Sequence, residues 1–75
     1  MSLEARLQHD LVALLAAGAS LELPVGARLQ HDLVALAVAA KNAGTHLTLT
    51  QAGFRLQHDL VAIAVAGKGH VTIKG

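Results

Sequence analysis

The octapeptide Arg-Leu-Gln-His-Asp-Leu-Val-Ala occurs three times without substitution, at residues 6–13, 28–35 and 55–62. Exact self-similarity at this period means that one supersecondary unit has been copied, and that each copy buries an apolar face against its neighbours. The copies are unevenly spaced, 22 residues from Arg6 to Arg28 and 27 from Arg28 to Arg55, so the difference lies in the joining segments. Identity extends to polar positions such as Gln8 and His9, which points to recent duplication or to deliberate idealisation.

The joining segments carry a second repeat. Ser20-Leu21-Glu22-Leu23, Thr45-His46-Leu47-Thr48-Leu49-Thr50 and His70-Val71-Thr72-Ile73-Lys74 alternate apolar and polar residues. That period of two marks a half-buried strand. Around the octapeptides, Leu7, Leu11 and Leu14 recur as Leu29, Leu33 and Leu36 and as Leu56, Leu60 and Ile63. This i, i+4, i+7 spacing puts three large side chains on one helical stripe. Val12, Val34, Val38, Val61 and Val65 widen the stripe, so each helix expects cover on more than one side. Gly18, Gly44 and Gly67 follow the apolar runs and suit the left-handed residue that closes a helix, with Lys41 and Lys68 near the negative end of the dipole. If each helix starts near the repeated Leu, Asp10, Asp32 and Asp59 fall in its first turn. About eleven helical residues then match a five-residue strand in length, at roughly 16 Å each.

Helix alternating with strand makes successive strands parallel and their crossovers right-handed. The expected fold class is therefore α/β: three helix–strand repeats forming a small parallel three-stranded sheet backed by helices on one face, solenoid-like. The single domain spans residues 1–75, with units at about 1–24, 25–51 and 52–75. Leu21, Leu23, Leu47, Leu49, Val71 and Ile73 face the helices. Ser20, Glu22, His46, Thr48, Thr50, His70, Thr72 and Lys74 face away.

The string Leu-Val-Ala-Leu-Ala-Val-Ala-Ala-Lys-Asn-Ala-Gly-Thr-His-Leu-Thr-Leu at residues 33–49 resembles the helix-to-strand half of leucine-rich repeats, and of short bacterial helix–strand repeat proteins of unassigned role. Where leucine-rich repeats place a turn asparagine after the strand, this chain has Pro24-Val25-Gly26 and Gln51-Ala52-Gly53. The resemblance implies a binding or scaffold role, with no catalytic residue to carry over.

Seventy-five residues with a single aromatic, Phe54, give a small aliphatic core. A chain this short buries about 60% of its unfolded surface. Cores of this kind are often completed by oligomerisation, and an open sheet leaves strand edges to pair. A homo-oligomer is therefore expected, with a protein or peptide as the other partner class. A formal net charge of +1 with interspersed signs and no stacking aromatics argues against nucleic acid. The chain has no cysteine, which rules out disulfides and thiolate zinc sites and fits a cytoplasmic location. Met1-Ser2-Leu3-Glu4-Ala5-Arg6 lacks the pattern of a signal peptide, and the apolar runs fall short of the roughly 18 residues that span a bilayer. No membrane partner is expected.

The sharpest chemical candidates are the pairs His9-Asp10, His31-Asp32 and His58-Asp59. Adjacent helices sit about 8–10 Å apart, too far for equivalent His residues to share an ion with bonds of about 2 Å. Consecutive residues also diverge on a helix, whereas intrahelical zinc pairs use i, i+4. No metal or cofactor is expected. A second candidate is an interaction face formed by His46, Thr48, Thr50, His70 and Thr72 on the polar side of the sheet. Catalysis lacks a nucleophile with a base and an orienting acid, and Ala66-Gly67-Lys68-Gly69 lacks phosphate-loop spacing. The sequence thus predicts a non-enzymatic structural or self-associating module, or alternatively a peptide- or small-ligand-binding module using that polar face.

Overall fold

A computed structural model of the chain describes residues 7–26 and 28–75. Helix and strand alternate throughout: α1 (Gln8–Ala16), β1 (Leu21–Pro24), α2 (Gln30–Ala43), β2 (Leu47–Thr50), α3 (Gln57–Gly67) and β3 (Val71–Ile73). The strands form one parallel sheet in the order β1-β2-β3. The register sets Leu47 between Leu21 and Val71, and Leu49 between Leu23 and Ile73. In-register pairing follows from the period of two, since a one-residue slip would turn these leucines out of the core.

The core is one aliphatic cluster between helices and sheet. Leu11, Leu15, Leu33, Leu36, Ala37, Ala40 and Ile63 come from the helices, and Leu21, Leu23, Leu47 and Leu49 from the strands. Val71 and Ile73 pack against the cluster but are only half-buried, whereas Leu21 and Leu23 on the other outer strand are buried. Among the described residues no polar side chain is buried. Helix α2 lies against both α1 and α3. The five-residue difference between the octapeptide spacings, 27 against 22, reappears in the helices, where α2 has 14 residues and α1 has 9.

The helix starts follow the sequence reading. Leu7, Leu29 and Leu56 are the N-cap residues, with Asp10, Asp32 and Asp59 in the first turns. All three caps are extended, and none makes a side-chain cap hydrogen bond. The helix ends are less uniform. Gly44 closes α2 in the left-handed conformation as expected, at φ 71°, and Gly18 at φ 108° follows the α1 cap Ala17. Gly67 differs from the expectation: it is the last helical residue of α3, and the left-handed cap is Lys68, at φ 44°, followed by Gly69 at φ 90°. The reason is steric. A Cβ on Gly67 would collide with Val71 Cγ2, so this buried glycine is needed for the close approach of β3 to α3, not for its φ.

Two substitutions test these local arguments. Leu29→Asp should stabilise the fold by roughly 0.5–1.5 kcal/mol, because it supplies the missing cap and carries negative charge to the helix start. Leu29 is 59% exposed, so little burial is lost, and the urea midpoint should rise. Gly67→Ala should cost about 1–3 kcal/mol through overpacking against Val71, seen as a lower melting temperature.

Candidate functional site

The polar side of the sheet brings its candidate residues together. Thr48 stands in register between Glu22 and Thr72, and Thr50 stands beside Pro24. The imidazole Nε2 of His46 hydrogen-bonds Thr72 Oγ1 across the β2–β3 pair at 2.6 Å, and the His46 backbone N–H donates to Ser20 Oγ at 3.1 Å. His70 Nδ1 donates to the Thr45 carbonyl at 2.8 Å. A carbonyl only accepts, so His70 carries its proton on Nδ1 when neutral and presents Nε2 as the remaining acceptor. His46, Thr48, Thr50 and His70 are half-buried and Thr72 is exposed. The face is thus a tied polar surface, in which His46, His70 and Thr72 spend bonds on fastening adjacent strands.

The His-Asp pairs remain separate. Each imidazole Nε2 lies 3.3–3.4 Å from the carboxylate of the next residue, and all three His side chains are well exposed. Water screens such pairs, so they add little to stability. Among the described residues, no three His, Cys, Asp or Glu side chains converge as metal ligands.

The octapeptide does its work through residues that the chemical reading passed over. The Gln8 side-chain amide donates to the Asp32 carbonyl at 2.9 Å, and Gln30 repeats the bond to the Asp59 carbonyl at 2.8 Å. Each joins one unit to the next. Running the other way, Arg55 Nη2 donates to the Arg28 carbonyl at 2.6 Å. The amide oxygens of Gln8 and Gln30 are buried without a partner, which offsets part of what the bonds contribute. Sequence did hold a signal for this ladder, namely the invariance of Gln at a position with no role in the helix stripe. Only the structure shows what that Gln reaches.

Away from the sheet, a shallow groove of about 330 Å³ lies between α1 and α2, lined by Val12, Ala16, Ala39, Asn42 and Ala43. Its lining is apolar apart from Asn42. Of the larger apolar side chains, Leu7, Leu29 and Leu56 are exposed at the helix starts, Phe54 in the turn before α3, and Val61 and Val65 on α3 itself.

No protein-family model, curated protein or solved structure matches the chain. Among the described residues no helix is long and apolar enough to cross a membrane.

The ladder gives a measurable contrast. Gln30→Ala should cost about 1 kcal/mol of unfolding free energy. Gln57→Ala should change the stability of the dilute chain by less than about 0.5 kcal/mol, because Gln57 is exposed and reaches no following unit. Urea denaturation of both variants reads the difference.

Proposed function

We propose that this chain is a non-enzymatic structural module of the cytoplasm, whose helix–strand units stack as a short solenoid and associate with other copies through the ends of that stack. One observation carries the reading: apolar positions that a following unit covers inside the chain are bare on the last helix. Val34 and Val38 of α2 are half-buried, whereas their counterparts Val61 and Val65 of α3 are 48% and 61% exposed. Terminal units of repeat proteins usually carry a polar outer face, which keeps the stack soluble. Here the α3 end keeps the apolar residues of an inner unit.

The alternative, a peptide or small ligand held on His46, Thr48, Thr50, His70 and Thr72, has less support. His46, His70 and Thr72 already bond within the face, so a ligand would find only Thr48, Thr50 and His70 Nε2 open.

Light scattering on a size-exclusion column over a range of concentrations tests the reading. A mass that rises above one chain with concentration is the expected result, and Val61→Glu with Val65→Glu should return it to a single chain. His46→Ala with His70→Ala should leave the assembly intact. A single-chain mass at every concentration would overturn the proposal.

A further inference from the structure

We propose that the occupant of the α3/β3 end is the α1/β1 end of a second copy, so that chains stack head to tail with the geometry their own units use. The proposal rests on the self-association reading above and gives it a partner surface.

Burial by aligned position supplies the first argument. Leu14, Leu36 and Ile63 occupy the same place in the three helices. Leu36 and Ile63, each with a unit before it, are fully buried, while Leu14, on the first described helix, is 38% exposed. The opposite flank shows the opposite gradient, since Val34 and Val38 are half-buried and Val61 and Val65 are exposed. Each helix thus has one side read by the preceding unit and one read by the following unit. Head-to-tail stacking sets Leu14 of one copy on Val61 and Val65 of the other, as Ile63 is set on α2.

The glutamine ladder supplies the second. Gln8 and Gln30 reach the carbonyls of Asp32 and Asp59. Gln57 is the donor left over, and Asp10 is the aspartate whose carbonyl no described glutamine reaches. The Asp10 side chain is 42% exposed, against 30% and 28% for Asp32 and Asp59. Stacking brings Gln57 to Asp10. A two-fold arrangement of α3 on α3 would leave Leu14 and the Asp10 carbonyl as they are.

The sheet edges add a limit. Leu21 and Val25 donate to β2, and Leu47 donates to β3, so backbone groups alternate in direction along each strand. By that alternation Glu22 and Pro24 turn their backbone to the free edge of β1, and Val71 and Ile73 to the free edge of β3. Docking in register gives the Val71 and Ile73 N–H groups the carbonyls of Ser20 and Glu22, and gives the Val71 carbonyl the Glu22 N–H. Pro24 occupies the register position of Thr50 and has no N–H, so the Ile73 carbonyl gets no donor. A head-to-tail contact does not close on itself, and a proline on one edge weakens its extension.

Single-cysteine variants separate the modes, because the chain has no cysteine of its own. Leu14→Cys and Val61→Cys are oxidised separately and as an equal mixture, with circular dichroism confirming the fold of each. The expected result is a disulfide-linked pair that forms in the mixture and not in either variant alone. If the wild type assembles but Val61→Cys links to itself, or the mixture gives no additional product, head-to-tail stacking is overturned and self-association stands. A wild type that stays a single chain at every concentration overturns both. As an independent measurement, Pro24→Thr restores the missing donor and should tighten association roughly two- to tenfold. Unchanged or weaker association would sink the edge pairing.

Discussion

The contact of one unit with the next is the constraint on which this fold depends. No single helix and four-residue strand can bury its own leucines, and a pair of isolated parallel strands has little reason to form in water. Stacking removes both difficulties together. Leu47 and Leu49 have helices over them and strands on either side, and become fully buried for that reason. The two outer strands differ: Leu21 and Leu23 on β1 are buried, whereas Val71 and Ile73 on β3 are half-buried.

Polar residues in the fold act mostly as fasteners between units. Gln8 and Gln30 tie helix to helix, Arg55 ties turn to turn, and His46, Ser20 and Thr72 tie strand to strand. All are bonds over 24–29 residues of sequence. They specify register rather than drive collapse, since a net hydrogen bond contributes about 1 kcal/mol while burying a leucine contributes about 2. A repeated polar residue in such a chain is explained by its neighbour in space, not by chemistry at its own position. The three His-Asp pairs fit this view: they repeat because the helix start repeats, and they remain exposed and apart.

Much of the fold was legible because its signals are local. Alternation at Leu21-Glu22-Leu23 and Leu47-Thr48-Leu49 and the glycine at position 44 each state an element or its end within a few residues. The expected stripe Leu29-Leu33-Leu36 holds only for Leu33 and Leu36, since Leu29 is the extended N-cap and stays 59% exposed. The reading went astray at Gly67, where closure was expected from the residue type and the cause was instead the space taken by Val71, four positions on in a different element. That His46, Thr48, Thr50, His70 and Thr72 share the polar side of the sheet was legible in the sequence. The bonding there was not, because whether His46 reaches Thr72 depends on the diagonal between two strands.

Sequence alone determined the alternation of helix and strand and the parallel direction of the strands, because periodicity and crossover length are properties of neighbouring residues. Tertiary structure decided which copies of an identical residue are covered. Val34 and Val61, or Gln30 and Gln57, are the same letter in the same octapeptide, yet Val34 is half-buried and Gln30 bonds the Asp59 carbonyl, while Val61 and Gln57 are exposed. Burial and hydrogen bonding across units depend on position in the stack, which identical sequences cannot encode.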